Sequence, residues 1–102
     1  MNLEMENNDG GVKKPSDLSA TGLSNGINRI EFSGRNEASK VSFEIWRRHG
    51  DTADWTLIET TRDQTFEDSP VTPGQYYEYK VRVKKEDEVS EFSESVVVYG
   101  KE

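Results

Sequence analysis

The clearest alternation of apolar and polar positions lies between residues 71 and 84. A Pro73-Gly74 turn signal precedes it. One set of alternate positions is apolar or aromatic: Tyr77, Tyr79, Val81 and Val83. The positions between them are largely charged: Tyr76, Glu78, Lys80, Arg82 and Lys84. A period of two over this length predicts a strand with one face in a core and the other in water.

Shorter segments of the same kind predict six further strands. We place them at residues 18–23, 27–32, 41–48, 55–60, 64–67 and 96–99. Asn25-Gly26 is the strongest short turn signal between two of them. No window of twelve residues has the apolar spacing of a helix. The pattern therefore predicts an all-β, seven-stranded antiparallel β-sandwich without a helix.

In the second strand, the pattern does not decide where the side chain of Asn28 lies. If Ile30 and Phe32 face the core, the same alternation places Asn28 there as well. Either Ile27 enters the core through a β-bulge, or Asn28 lies at the rim of the sandwich.

Composition indicates how the chain divides into a leader and a folded domain. Residues 1–12 are polar, predominantly acidic and without apolar periodicity, which predicts a flexible acidic leader. Residues 13–100 then form the one sandwich domain. The leader also lacks the apolar run of a signal peptide, and no segment is suited to spanning a membrane.

Charge and cysteine content limit the partners. The net charge of −7 opposes general binding to nucleic acid or anionic lipid. The chain has no cysteine, so disulfides and thiolate zinc sites are excluded. We expect no cofactor, no catalytic or metal site, no nucleic-acid partner and no membrane insertion. The expected partners are a protein or neighbouring domains, with carbohydrate as a further option and a monomer in isolation.

Five short motifs in order resemble a fibronectin type III domain, particularly the type found in bacterial and phage surface proteins. They are Pro15–Ala20, Phe43–Arg48, the link Phe66–Gly74, the sixth strand Tyr77–Val83, and Ser90-Glu91-Phe92-Ser93. Phe32 and Asn28 depart from the family pattern, which has a core tryptophan on the second strand. The resemblance covers about five-sixths of the chain.

This resemblance implies an immunoglobulin-like sandwich of fibronectin type III topology. Strands one, two and five would face strands four, three, six and seven. It also implies an extracellular or cell-surface location, with the domain acting in adhesion, in protein binding or as a spacer. Tyr77 would be the structural tyrosine corner, with its hydroxyl bonded to the backbone of the link before it.

In that arrangement one exposed face gathers aromatic, basic and apolar side chains beside Glu44 and Glu78. Its candidate binding residues are Trp46, Arg48, Lys80, Arg82, Val97 and Tyr99. Aromatic and arginine side chains are enriched at interfaces, which favours a binding face. The alternative is that the basic side chains cover Trp46 and only stabilise the sheet.

Other functional hypotheses rest on fewer residues. Trp55 opens an edge strand, where it either packs on the core or, like Trp46, binds carbohydrate. A small structural or virion protein could assemble through the edges of the fourth or last strand. Asp63, Glu67 and Asp68 could hold calcium, although they lack the spacing of a calcium-binding loop.

The tyrosine corner gives a first testable prediction. Replacing Tyr77 with Phe should lower the free energy of unfolding by about 1–3 kcal/mol, because a buried polar group in the link loses its partner. Urea denaturation measures this change, and an unchanged midpoint would contradict the assignment.

Overall fold

The computed structural model describes residues 12–34, 41–50 and 54–102. In these ranges the chain forms strands and no helix. The strands are β1 (Ser16–Leu23), β2 (Ile27–Ser33), β3 (Ser42–His49), β4 (Thr56–Thr61), β5 (Thr65–Asp68), β6 (Tyr76–Lys85), β7 (Glu88–Val89) and β8 (Val96–Tyr99). The strand absent from our prediction is β7, a pair of residues that closes the acidic hairpin after β6.

Two antiparallel sheets build the domain. One has the order β1-β2-β5, and the other has the order β4-β3-β6, with β7 and β8 both pairing with β6. The predicted division of strands between the sheets and the all-β sandwich are confirmed. β6 is central because it pairs with β3 on one side and with two short strands on the other.

The core lies between the sheets and is built from alternate strand positions. Its buried apolar and aromatic residues are Val12, Ile30, Phe32, Val41, Phe43, Ile45, Val71, Tyr77, Tyr79, Val81 and Val83. Phe32, at the position of the family's tryptophan, packs edge-on against Phe43 with ring centroids 4.9 Å apart. Val12 is only 3% exposed, so the folded part includes a residue that we assigned to the leader. Residues 1–11 lie outside the described residues.

Asn28 is a core residue, and both of our alternatives for it were wrong. It is fully buried, and its register with β1 and β5 is continuous, without a bulge. Its side-chain amide donates to the Tyr79 hydroxyl at 3.1 Å. The amide nitrogen thus has a partner, whereas the buried Oδ1 has none among the described residues, so the cost of burying Asn28 is only partly compensated.

This hydrogen bond belongs to a polar network that joins the sheets. The Tyr79 hydroxyl donates to Asp68 Oδ2 at 2.6 Å, and Arg47 Nη1 donates to the same carboxylate at 2.9 Å. Asn28 and Asp68 are opposite each other in one sheet, and Arg47 and Tyr79 are opposite each other in the other. Burial and the neighbouring Asp68 raise the pKa of Tyr79, so its hydroxyl stays protonated. Asp68 of one sheet thus accepts hydrogen bonds from two side chains of the other.

The edge of β6 between β7 and β8 is closed by two serines. Ser90 and Ser93 each donate a backbone N–H to a β6 carbonyl, at Val83 and Val81 respectively. Each serine Oγ also accepts the amide hydrogen of that same β6 residue, at 2.9 Å for Val83 and 3.0 Å for Val81. The Ser-X-X-Ser spacing therefore satisfies the β6 backbone and leaves Phe92 between the two serines.

The polar network yields a second prediction. Tyr79→Phe should lower the free energy of unfolding by about 1–3 kcal/mol, since Asn28 and Asp68 each lose a buried hydrogen bond. Urea denaturation with a fluorescence readout measures the effect.

Tyr99→Phe is the matched control, because the Tyr99 side chain is on the surface and the residue is 59% exposed. It should change stability by less than about 0.5 kcal/mol. Equal effects of the two variants would show that the buried network contributes nothing specific.

Candidate functional site

The outer face of the five-stranded sheet consists of the outward side chains of β3, β6 and β8. Alternation along β3 and β6 determines which side chains these are. The strand register then sets three opposing pairs on this face: Glu44 and Arg82, Trp46 and Lys80, and Arg48 and Glu78. The structure thus brings Trp46, Arg48, Lys80 and Arg82 together, as the sequence indicated.

Glu44 anchors one end of this face. Arg82 Nε donates to Glu44 Oε1 at 2.7 Å, and Trp46 Nε1 donates to the same oxygen at 3.1 Å. Partial burial acts to raise the pKa of Glu44, but the two hydrogen bonds and the charge of Arg82 outweigh burial and hold it below the ordinary value. Glu44 is therefore an ionised carboxylate that fixes both the indole and the guanidinium.

Glu78 has the same role further along β6. Ser95 Oγ donates to its Oε2 at 2.6 Å, while Arg48 Nε and the Tyr76 hydroxyl donate to its Oε1 at 2.8 and 3.0 Å. The bond from Ser95, followed by those from Arg48 and Tyr76, lowers the pKa of Glu78 against the opposing effect of burial. One carboxylate thus orders three side chains.

Three cations lie over three aromatic rings at the centre of this face. Lys80 Nζ is 4.3 Å from the Trp55 ring centroid and 4.0 Å from that of Phe92. Arg48 also lies over Trp55, and Arg82 lies over both Phe92 and Trp46. Trp46 and Phe92 meet edge-on at 5.7 Å. Cation–π contacts at partly exposed sites contribute about 0.5–1 kcal/mol each, so these side chains stabilise the sheet and one another.

Two of these rings differ from our expectations. Trp55, for which core packing was one of two interpretations, lies on the outer face against Arg48 and Lys80. Phe92 was not recognised as part of the site at all. The sequence feature that could have revealed Phe92 is the Ser90-to-Ser93 spacing. The two serines bond to β6, and the intervening ring lies on the same side as Trp46.

Val97 and Tyr99 are the uncovered part of the predicted face. They are 47% and 59% exposed. In the β6–β8 register, Val97 is opposite Glu78 and Tyr99 is opposite Tyr76, whose ring it meets edge-on at 5.8 Å. We grouped Tyr99 directly with Lys80 and Arg82, but it is opposite a residue four positions from Lys80. The face therefore has a covered centre and an exposed apolar margin.

Tyr77 lies on the inner side of β6, as expected from its place among the alternate positions that face the core. Its hydroxyl oxygen accepts the Thr72 amide hydrogen at 2.7 Å, which places it against the link to which the resemblance assigned it. The ring also lies below the Arg47 guanidinium, 5.8 Å from its centroid. Tyr77 can therefore fix the backbone just before β6.

The proposed calcium ligands do not converge. Asp68 is buried in the core network, whereas Asp63 and Glu67 line an open depression of about 550 Å³ on the surface. Glu67 is paired there with Arg29 at 2.9 Å. In the described ranges no three His, Cys, Asp or Glu side chains are grouped to hold a metal ion. Nor do those ranges contain a helix with the length and apolar character needed to cross a membrane.

Comparison with known proteins identifies the fold. No protein-family model matches the chain, and no curated protein matches it. A solved myokine structure matches with a TM-score of 0.75 and 13% identity, over 89% of this chain and 99% of that one. A crystal structure of domains from titin matches with a TM-score of 0.75 and 12% identity, over 89% of this chain and 32% of that one. The kinase region of twitchin from C. elegans also gives 0.75 and 12%, over 88% of this chain and 17% of that one.

The fold is that of a fibronectin type III or immunoglobulin-like sandwich. Identities of 12–13% show the fold alone. For the titin and twitchin chains, the similarity spans only a minor part of a longer polypeptide.

The two lowered pKa values predict how stability depends on pH. Glu44 and Glu78 bind protons less readily in the folded state, so their stabilisation is present above the ordinary pKa of 4.5 and is lost as the pH falls through their lower folded values. The free energy of unfolding should therefore fall below about pH 4.5, and it should fall less in Glu44→Gln and Glu78→Gln variants.

Urea denaturation at a series of pH values tests this, with Glu91→Gln as the control because Glu91 is exposed. The control should retain the pH dependence of the parent. If the Glu44 and Glu78 variants also retain it in full, the ion pairs do not act as described.

Proposed function

We propose that the chain is a non-catalytic β-sandwich module that separates neighbouring parts of a larger protein and presents the outer face to a protein partner. The observation that carries this proposal is the position of the two ends of the domain. The chain enters the sandwich at one pole and leaves it at the other.

The strand register supports that placement. β1 begins at Ser16, opposite Ser33 at the end of β2. At the other end of β1, Gly22 lies beside Lys101, whose Cβ is 3.5 Å from where a Cβ on Gly22 would be. Lys14 and Lys101 are therefore separated by the length of β1, about 25 Å at about 3.3 Å per residue.

The exit of the chain is also held in a fixed direction. Gly74 N–H donates to the Gly100 carbonyl at 2.8 Å, and Gly100 N–H donates to the Gln75 carbonyl at 3.0 Å. A Cβ on Gly100 would overlap the Thr72 carbonyl oxygen, so only glycine allows this approach. Tyr77 holds the Thr72 amide from the other side. A segment following the domain would start from a rigid point.

The outer face is suited to binding because it is already ordered. Glu44 and Glu78 hold the guanidinium groups in place, so a partner would meet side chains that lose little conformational freedom. Val97 and Tyr99 add exposed apolar surface beside them. Both the aromatic–arginine composition and the apolar margin are typical of protein interfaces.

The alternative functions have less support. Cations lie over the rings of Trp46 and Trp55, and a sugar would have to displace them to stack on those faces. Assembly through sheet edges is disfavoured by a bulge in β4, where Ile58 has no opposite residue, and by another in β1. The remaining edge strands are short: β5 and β8 have four residues each, and β7 has two.

The proposal includes a location in an extracellular or surface protein of the bacterial or phage type. The sandwich closes without disulfides, so the lack of cysteine favours no compartment. The support for this location is the ordered set of fibronectin-type motifs from Pro15 to Ser93.

Spin-label distances test the spacer geometry. The absence of native cysteine allows Lys14→Cys and Lys101→Cys to be labelled selectively. Electron–electron resonance should give one narrow distribution centred between about 25 and 35 Å, the length of β1 plus the reach of the labels. A broad distribution, or one centred well below this range, would contradict the proposal.

Gly100→Ala in the same doubly labelled chain is the comparison variant. Its added Cβ should displace the last residues from the Thr72 carbonyl and broaden the distribution, while thermal unfolding shows that the sandwich persists. An unchanged width would show that this contact does not fix the exit direction.

A further inference from the structure

We propose that the outer face binds an acidic polypeptide segment of a partner protein, with carboxylates meeting the Lys80 ammonium group between Arg48 and Arg82. The inference deepens the proposed function and depends on the display of this face to a protein. Three observations support it: the local charge, the lack of a carboxylate partner for Lys80 among the described residues, and the exposed Val97 and Tyr99 beside the cluster.

The charge of this face is opposite to that of the whole molecule. The outward positions of β3 and β6 carry four cations and two carboxylates: Arg48, Lys80, Arg82, Lys84, Glu44 and Glu78. They give a local charge of +2 in a chain whose net charge is −7. Because screening limits exposed charges to a range of about 8–10 Å at physiological salt, an approaching partner responds mainly to the local sign. An acidic segment is complementary to it.

Lys80 is the cation that the carboxylates of the partner would bind. Arg48 and Arg82 each bind a carboxylate, Glu78 and Glu44 respectively, whereas Lys80 has no carboxylate partner among the described residues. Its ammonium group lies between the rings of Trp55 and Phe92. Burial, followed by the charges of Arg48 and Arg82, lowers the pKa of Lys80. A carboxylate supplied by the partner would raise the pKa of Lys80 and so oppose the effect of the two arginines.

The surface favours a peptide over a nucleic acid. A nucleic acid carries closely spaced charges along its whole length, and beyond this face it would meet a surface with an excess of negative charge. A short peptide can place a few carboxylates over Lys80 and end there. The exposed Val97 and Tyr99 provide apolar contacts for residues flanking those carboxylates. The expected ligand is thus an extended segment with several Asp or Glu residues and apolar neighbours.

Tryptophan signals make the proposal directly testable. The chain has two tryptophans, and both touch this cluster: Trp55 beside Lys80 and Trp46 beside Arg82. The full chain would be titrated with a hexaglutamate peptide at low salt, and indole fluorescence and the indole N–H chemical shifts would be followed. Hexaglutamine controls for the peptide backbone, and oligothymidylate supplies a different polyanion.

Variants locate the binding. Lys80→Gln should weaken hexaglutamate binding at least about fivefold, a loss typical of one charge pair. Lys80→Arg, which retains the charge, should restore most of it. Lys101→Gln removes the same charge at the pole and should leave binding unchanged. Salt at about 1 M, where the screening length is about 3 Å, should abolish binding.

Several results would overturn the inference. They are the absence of any indole change with hexaglutamate, equal losses in Lys80→Gln and Lys101→Gln, equal binding of hexaglutamine, and tighter binding of oligothymidylate than of the peptide. The spin-label distances do not depend on Lys80. The spacer proposal can therefore survive when this inference fails, and the reverse also holds.

Discussion

Strand β6 is the element on which the rest of the domain depends. Its inward side chains form much of the core, and its outward side chains form the centre of the candidate face. Its backbone is bonded along one edge by β3 and along the other by β7, Ser90, Ser93 and β8. A substitution that disturbed the alternation of this strand would affect the core and the outer face together, because neighbouring positions point to opposite sides.

The polar network between the sheets adds specificity to this arrangement. A hydrophobic core alone tolerates small shifts of one sheet over the other, since apolar contacts have little directionality. Asn28, Asp68, Tyr79 and Arg47 can bond only when the two sheets are in one register. Buried ion pairs are not reliable sources of net stability, so we attribute to this network mainly the choice of one packing.

The candidate face shows how much of a site the local sequence pattern can predict. Alternation placed Trp46 and Arg48 on one face of β3, and Lys80 and Arg82 on one face of β6, because successive side chains of a strand point in opposite directions. The resemblance to fibronectin type III domains implied that these two faces lie on one surface. Alternation was not sufficient for Trp55 or Phe92. Trp55 precedes an edge strand with a bulge, and Phe92 lies in a segment that is extended along β6 without being part of a regular strand. Neither position has a periodicity from which its side could be inferred.

By itself the sequence determined the all-β class and the side of β6 that is buried, and its resemblance to fibronectin type III domains implied the division of strands between the sheets. The class and the buried side follow from local turn chemistry and from a period of two. Tertiary structure decided the role of Asn28 as a buried hydrogen-bond donor and the pairing of Asp68 with Arg47 and Tyr79. It also decided that the Lys80 ammonium group lies beside the rings of Trp55 and Phe92, without a carboxylate partner among the described residues. The physical reason is that each outcome depends on a partner distant in sequence, whose position is set only when the two sheets pack.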